Sequence, residues 1–130
     1  MSWVEVFAVL VISHLVGDFL LQTEWQASNK LGGLSGPPIA RRALLAHIAT
    51  YTLCFLPALI WLAGSIGWAA AGIGVLIAAP HCIQDDGRLL SAYLRRVKKT
   101  SAQPGDLLYT AVDQAFHLLA LFAVALLSAA

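Results

Sequence analysis

The chain has 130 residues, of which 59% are hydrophobic and 12% charged, with a formal net charge of +1. Soluble domains carry about 25% charged residues, so this composition excludes an ordinary soluble domain and points to an integral membrane protein. The length suits one compact helical domain over residues 1–130, and so small a net charge gives no sign of a nucleic-acid partner.

Spanning a hydrocarbon core of about 30 Å takes about 20 apolar residues, and four stretches approach that length. They run from about Trp3 to Gln22, Ala43 to Ala63, Ile66 to Ile83, and Leu107 to Ser128. The expected fold is an all-α membrane four-helix bundle. The first stretch lacks a basic leader and carries His14 and Asp18, so it reads as a retained helix rather than a signal peptide. Glu5, near its outer end, is expected to reach toward the interface. Pro57 is expected to bend the second helix, and Pro80 to loosen the third and free a backbone carbonyl. Between spans one and two, Gly32-Gly33 and Gly36-Pro37-Pro38 predict an irregular loop, with Glu24 to Lys30 extending the first helix. Between spans three and four, residues 88–99 alternate leucines with basic residues, a pattern that fits an amphipathic helix on an anionic leaflet or a solvated basic loop. Asp86 and Arg88, at the membrane edge, are expected to be solvated.

All eight Lys and Arg residues fall in these two loops: Lys30, Arg41 and Arg42 in the first, Arg88, Arg95, Arg96, Lys98 and Lys99 in the second. The positive-inside rule then puts both loops in the cytoplasm and both termini outside. Trp3, Trp25, Trp61 and Trp68 lie near span ends, as an interfacial belt does. Cys54 and Cys82 have no CxxC spacing and read as free buried thiols.

The polar residues inside the apolar stretches carry the chemistry. His14/Asp18, His81/Asp85 and Asp113/His117 are each four apart, and Tyr51 follows His47 by four. At that spacing two side chains share a helix face. Counted inward from the basic ends, Asp85 lies at ~4 Å, Asp18 and His47 at ~7 Å, His81 and Asp113 at ~10 Å, His14 at ~13 Å and His117 at ~16 Å. All seven thus occupy one half of the bilayer although the helices alternate in direction. Ionisable groups in that medium cost at least ~2.5 kcal/mol each for a central Asp, which argues for one gathered site. Imidazoles and carboxylates suit Zn, Mn or Fe, and His/carboxylate pairs at helical spacing are a known way for a bundle core to hold two metals.

The expectation is therefore a divalent-metal site, zinc foremost, with ligands His14, Asp18, His47, His81, Asp85, Asp113 and His117. Asp18, Asp85 and Asp113 would share ligation and general-base work, while Gln22, Tyr51, Gln114 and Arg88 would surround them and touch substrate or hold a ligand in place. Plain interhelical hydrogen bonding remains the alternative for any single one of these residues. A metal of this kind lowers the pKa of its water to about 7 and polarises a phosphoryl or carbonyl oxygen. The depth puts the site near headgroup level, so membrane lipids are expected partners and the substrate would be lipid-like. The expected function is a metal-dependent hydrolase. Divalent-metal or proton transport, or a non-catalytic membrane scaffold, are the other readings.

The run His14-Leu15-Val16-Gly17-Asp18-Phe19-Leu20-Leu21-Gln22-Thr23 resembles the opening signature of domain-of-unknown-function family 3307, small bacterial and phage membrane proteins. Lys30, His47 with Tyr51, His81-x-x-x-Asp85 with Arg88, and Asp113-Gln114-x-x-His117 are similar to its further motifs. In the third motif Cys82-Ile83-Gln84 departs from the apolar residues expected, and Arg88 stands where lysine is common. The resemblance implies a bacterial inner-membrane helical protein and marks the motif residues; it implies no reaction.

Overall fold

The computed structural model describes residues 1–129 and holds seven α-helices with one π-helical turn; among the described residues there is no strand. Helix α1 (Trp3–Leu15) starts at a capping box in which Ser2 and Glu5 satisfy each other's backbone N–H, so Glu5 serves the helix end. At Val16–Leu20 the helix widens into a π turn. Such turns recur at functional sites because the added residue redirects the side chains around it, and Asp18 lies within this one.

Helix α2 (Glu24–Asn29) is not an extension of α1. Thr23 and Gln26 form a second capping box, which starts a new axis. Helices α3 (Pro38–Cys54) and α4 (Leu56–Ile66) are one apolar stretch bent by 51° at Phe55. Pro57, in the first turn of α4, has no N–H to continue the α3 ladder, which accounts for the bend. Helix α5 (Ala69–Asp85) continues through Pro80, which has no N–H for the ladder and leaves the Leu76 carbonyl without its helical donor. One missing donor is tolerated where Ile73 and Ile77 before it and His81 after it are all buried.

Helix α6 (Arg88–Arg96) follows the left-handed Gly87, and α7 (Leu107–Ser128) completes the chain. The apolar face of α6 rests on protein: Leu90 and Leu94 are buried with Tyr109, against Val112 and Phe116 of α7. Leu89 of the same face stays 64% exposed and Tyr93 half-buried, so α7 covers only part of it.

Trp3–Leu20 and α7 are long and apolar enough to cross a membrane, the bent α3–α4 pair passes the same test taken as one span, and α5 is apolar but only 17 residues long. Ile12, Ile60, Val75, Leu119 and Leu127 are more than 60% exposed. A surface this apolar marks the chain for membrane association. Inside, Val6, Leu10, Phe55, Leu62, Ile73, Ile77, Leu121 and Val124 form the main apolar core. The polar cluster occupies the other end of the same helices.

Candidate metal centre

Helices α3 and α5 present His47 and His81 toward each other, with their Nε2 atoms 3.1 Å apart. Asp85 Oδ2 lies 2.8 Å from His47 Nε2 and 3.2 Å from His81 Nε2. Asp18 Oδ1, delivered by the π turn, lies 3.3 and 3.5 Å from the same two nitrogens. These four atoms define a small polyhedron whose five measured edges run from 2.8 to 3.5 Å. A tetrahedron of metal–ligand bonds near 2.0–2.1 Å has edges of about 3.3–3.4 Å. The donor set and its dimensions fit a four-coordinate divalent ion.

Asp85 joins this group to a second. Its other oxygen, Oδ1, is 3.4 Å from His117 Nε2, and Asp85, Asp113 and His117 together form a three-residue group that can hold an ion. The His117 Nδ1–H donates to the Asp113 backbone carbonyl at 2.8 Å. Four buried polar atoms of the cluster have no hydrogen-bond partner among the described residues: Asp18 Oδ1, His47 Nδ1, His81 Nδ1 and His117 Nε2. Buried polar groups are nearly always paired; of these four, Asp18 Oδ1 and His117 Nε2 face the ion-holding groups, whereas His47 Nδ1 and His81 Nδ1 lie on the far edges of their rings.

His14 stands apart from both groups. Its Nδ1 lies 3.0 Å from the Tyr51 hydroxyl and its Nε2 2.9 Å from Gln114 Oε1, while Asp18 is 3.7 Å away. One tautomer satisfies the whole chain: the Tyr51 O–H donates to Nδ1, and Nε2–H donates to Gln114 Oε1. The Gln114 amide nitrogen then donates to Asp18 Oδ2 at 3.3 Å and Asp113 Oδ2 at 3.4 Å. Gln114 thereby ties one carboxylate of each group, and His14 holds Gln114. Tyr51 also stacks flat on His81, with centroids 3.4 Å apart and planes within 4°. Gly17 makes room for that ring, since a Cβ there would sit 2.7 Å from Tyr51 Cδ2.

Lys30, read from the sequence as a topology charge and a motif position, enters the site from the C-cap of α2. Its Nζ donates to Asp85 Oδ2 at 2.7 Å. Gln22, with its amide oriented to suit both neighbours, accepts from Lys30 Nζ at 2.6 Å and donates to the Asp18 carbonyl at 3.2 Å. Arg88 does not reach the cluster; it pairs with Asp86 and donates to Ser35. Asp86 is buried rather than solvated: its Oδ1 accepts from the Leu34 N–H at 2.8 Å, and its carbonyl accepts from Gly32 N–H at 2.8 Å. Burial pushes the Asp86 carboxyl up, but the Arg88 guanidinium and the Leu34 amide outweigh it and hold the group below the ordinary aspartate range. Cys54 and Cys82 are free and half-buried, and neither belongs to the ion-holding groups.

Two openings meet at the cluster's edge. A cavity of about 120 Å³ carries the polar side chains of Lys30, Gln84, Asp85, Tyr109, Thr110 and Asp113 among the apolar Ala27, Leu31 and Pro104. An apolar groove of about 180 Å³ between α6 and α7 is lined by Leu89, Leu90, Tyr93 and Phe116, with Gln84 and Asp113 at its polar edge. Gln84 and Asp113 are common to both.

A family model described as a protein of unknown function, DUF3307, matches residues 6–130. No curated protein and no solved structure matches the chain.

Proposed function

The chain belongs to the DUF3307 family of proteins of unknown function, and from that premise we propose that it is a membrane-embedded, metal-dependent hydrolase of a lipid-like substrate. The observation that carries this reading is the convergence of Asp18, His47, His81 and Asp85 with edges of 2.8–3.5 Å. Mixed imidazole and carboxylate donors at tetrahedral spacing favour zinc. An ion held in this cluster would supply Lewis acidity and, at a coordination position left free by the protein donors or opened by a fifth ligand, a water activated near neutral pH. Around it, Lys30 offsets carboxylate charge, Gln114 holds Asp18 and Asp113, and the Tyr51 ring keeps His81 in plane.

The paired openings support an amphiphilic substrate. Its head group would occupy the cavity beside Lys30, Tyr109 and Thr110, and its chain would lie in the groove of Leu89, Leu90, Tyr93 and Phe116. In this reading α1 with its π turn, the α3–α4 pair, α5 and α7 are four crossings of a bacterial inner membrane. The eight basic residues lie on the cytoplasmic side and both termini outside. Helix α5, at 17 residues, reaches only about 25 Å, so the local bilayer would thin or the helix ends would lie within protein.

The test is elemental analysis of the purified protein, followed by turnover of a long-chain alkyl phosphate in mixed micelles. Stoichiometric zinc is expected, with phosphate release lost in chelator, restored by zinc and abolished by His81→Ala. Protein without stoichiometric metal, whose turnover survives His81→Ala, overturns the proposal. Zinc uptake into proteoliposomes would instead favour transport, and stability indifferent to chelator a scaffold.

A further inference from the structure

We propose that the cluster is two unequal ion positions sharing Asp85. One is a closed position that fixes the helices, formed by Asp18, His47, His81 and Asp85. The other is an open position, formed by Asp85, Asp113 and His117, at which the substrate's reacting group is bound. This rests on the metal-dependent reading above and says which part of the cluster does the work.

The two oxygens of Asp85 point to different partners. Oδ2 faces His47, His81 and Lys30, whereas Oδ1 faces His117. The ring of His117 supplies the argument for a second ion. Its Nδ1–H is committed to the Asp113 carbonyl, so in the neutral ring Nε2 is a bare electron pair. That pair lies 3.4 Å from a carboxylate oxygen and makes no hydrogen bond to it. The ring is 98% buried, so bulk solvent does not screen the two facing lone pairs, and a cation between them removes the repulsion. A backbone carbonyl accepting from the far nitrogen is also what metal-bound histidines ordinarily have, since it sets the tautomer and strengthens the donor.

The groups differ in closure. Four protein ligands complete a tetrahedral ion and characterise structural sites, whereas catalytic sites keep three and leave a position free. The first group has four protein donors, and His47, His81 and Asp85 among them are at most 3% exposed. The second has three, and two of them, Asp85 and Asp113, border the cavity beside Lys30. The Tyr109 hydroxyl is buried beside Gly87, in a side chain that also lines that cavity. Gln114, donating to Asp18 and Asp113 together, holds the two positions in register.

Cobalt titration of the chelator-stripped full chain in detergent, read by visible absorption with elemental zinc counts in parallel, tests this. Wild type takes two equivalents, the first giving the intense bands of tetrahedral cobalt and the second weaker ones. His117→Ala and the milder Asp113→Asn each keep one equivalent with the tetrahedral bands intact. His81→Ala loses those bands, and Asp85→Asn weakens both positions. Inorganic phosphate shifts only the weaker bands. A wild type with one equivalent, unaffected by Asp113→Asn and His117→Ala, overturns the second position while leaving the proposed function standing. A wild type that binds no metal sinks both.

Discussion

Lys30 and Asp85 form a buried ion pair at 2.7 Å with side chains 13% and 2% exposed. At that distance and an effective dielectric of about 20, the direct attraction is roughly 6 kcal/mol before desolvation. Removing one partner of such a pair leaves an uncompensated charge and costs about 3–5 kcal/mol, whereas removing both costs much less. Asp85→Asn is therefore expected to destabilise the chelator-treated protein by about 3–5 kcal/mol. Lys30→Met in the same background should recover about 1–3 kcal/mol of that loss. Denaturant titration in detergent followed by circular dichroism measures the four corners of the cycle. Zinc adds a second reading: at a hundredfold excess over its dissociation constant, wild type gains about 2.7 kcal/mol, and Asp85→Asn gains little. Costs that add within about 0.5 kcal/mol, together with an undiminished zinc gain in Asp85→Asn, would refute the role of Asp85 as the hub.

Gly17→Ala places a Cβ 2.7 Å from the Tyr51 ring, which is backed by His81. It should cost about 1–3 kcal/mol and weaken zinc binding in a competition assay, while Gly64→Ala, which meets nothing within 4 Å, leaves zinc binding unchanged. Asp86→Ala removes the acceptor of the Leu34 N–H and should cost about 1–3 kcal/mol at neutral pH. Because the folded-state pKa of Asp86 is depressed, its contribution is present above the ordinary aspartate value and lost as pH falls through the depressed one. The variant's acid unfolding curve should accordingly be shallower than wild type. Leu94→Ala, at a nearly fully buried position under α6, should cost about 2–5 kcal/mol and release α6, seen as faster amide exchange over residues 88–96.

Depth along the helices was legible in the sequence because four-residue spacing and the distribution of basic residues are both one-dimensional facts. They place His47, His81, Asp85, Asp113 and His117 toward the same end of the helices, and those residues meet. Rotation about each axis is not written in spacing alone. Asp18, carried by the π turn, stays 3.7 Å from His14 on the shared face and also reaches across to His47 at 3.3 Å. His14 holds Gln114 instead of joining the ion-holding groups. Lys30 was hidden for a different reason: a lysine in a basic loop looks like a topology signal until α2 folds back and delivers it to Asp85. The break before α2 had a signal in Thr23-x-x-Gln26, the pattern of a capping box. Asp86 had none, because its burial depends on the loop of Gly32 to Ser35 lying over the end of α5.

X-ray absorption at the zinc edge of the purified full chain tests the central claim most directly. Imidazole scattering from two histidines per ion is expected at the closed position, with oxygen and nitrogen neighbours at about 2.0–2.1 Å, reduced in His47→Ala. A spectrum of water and carboxylate oxygen alone, without imidazole scattering, would contradict it.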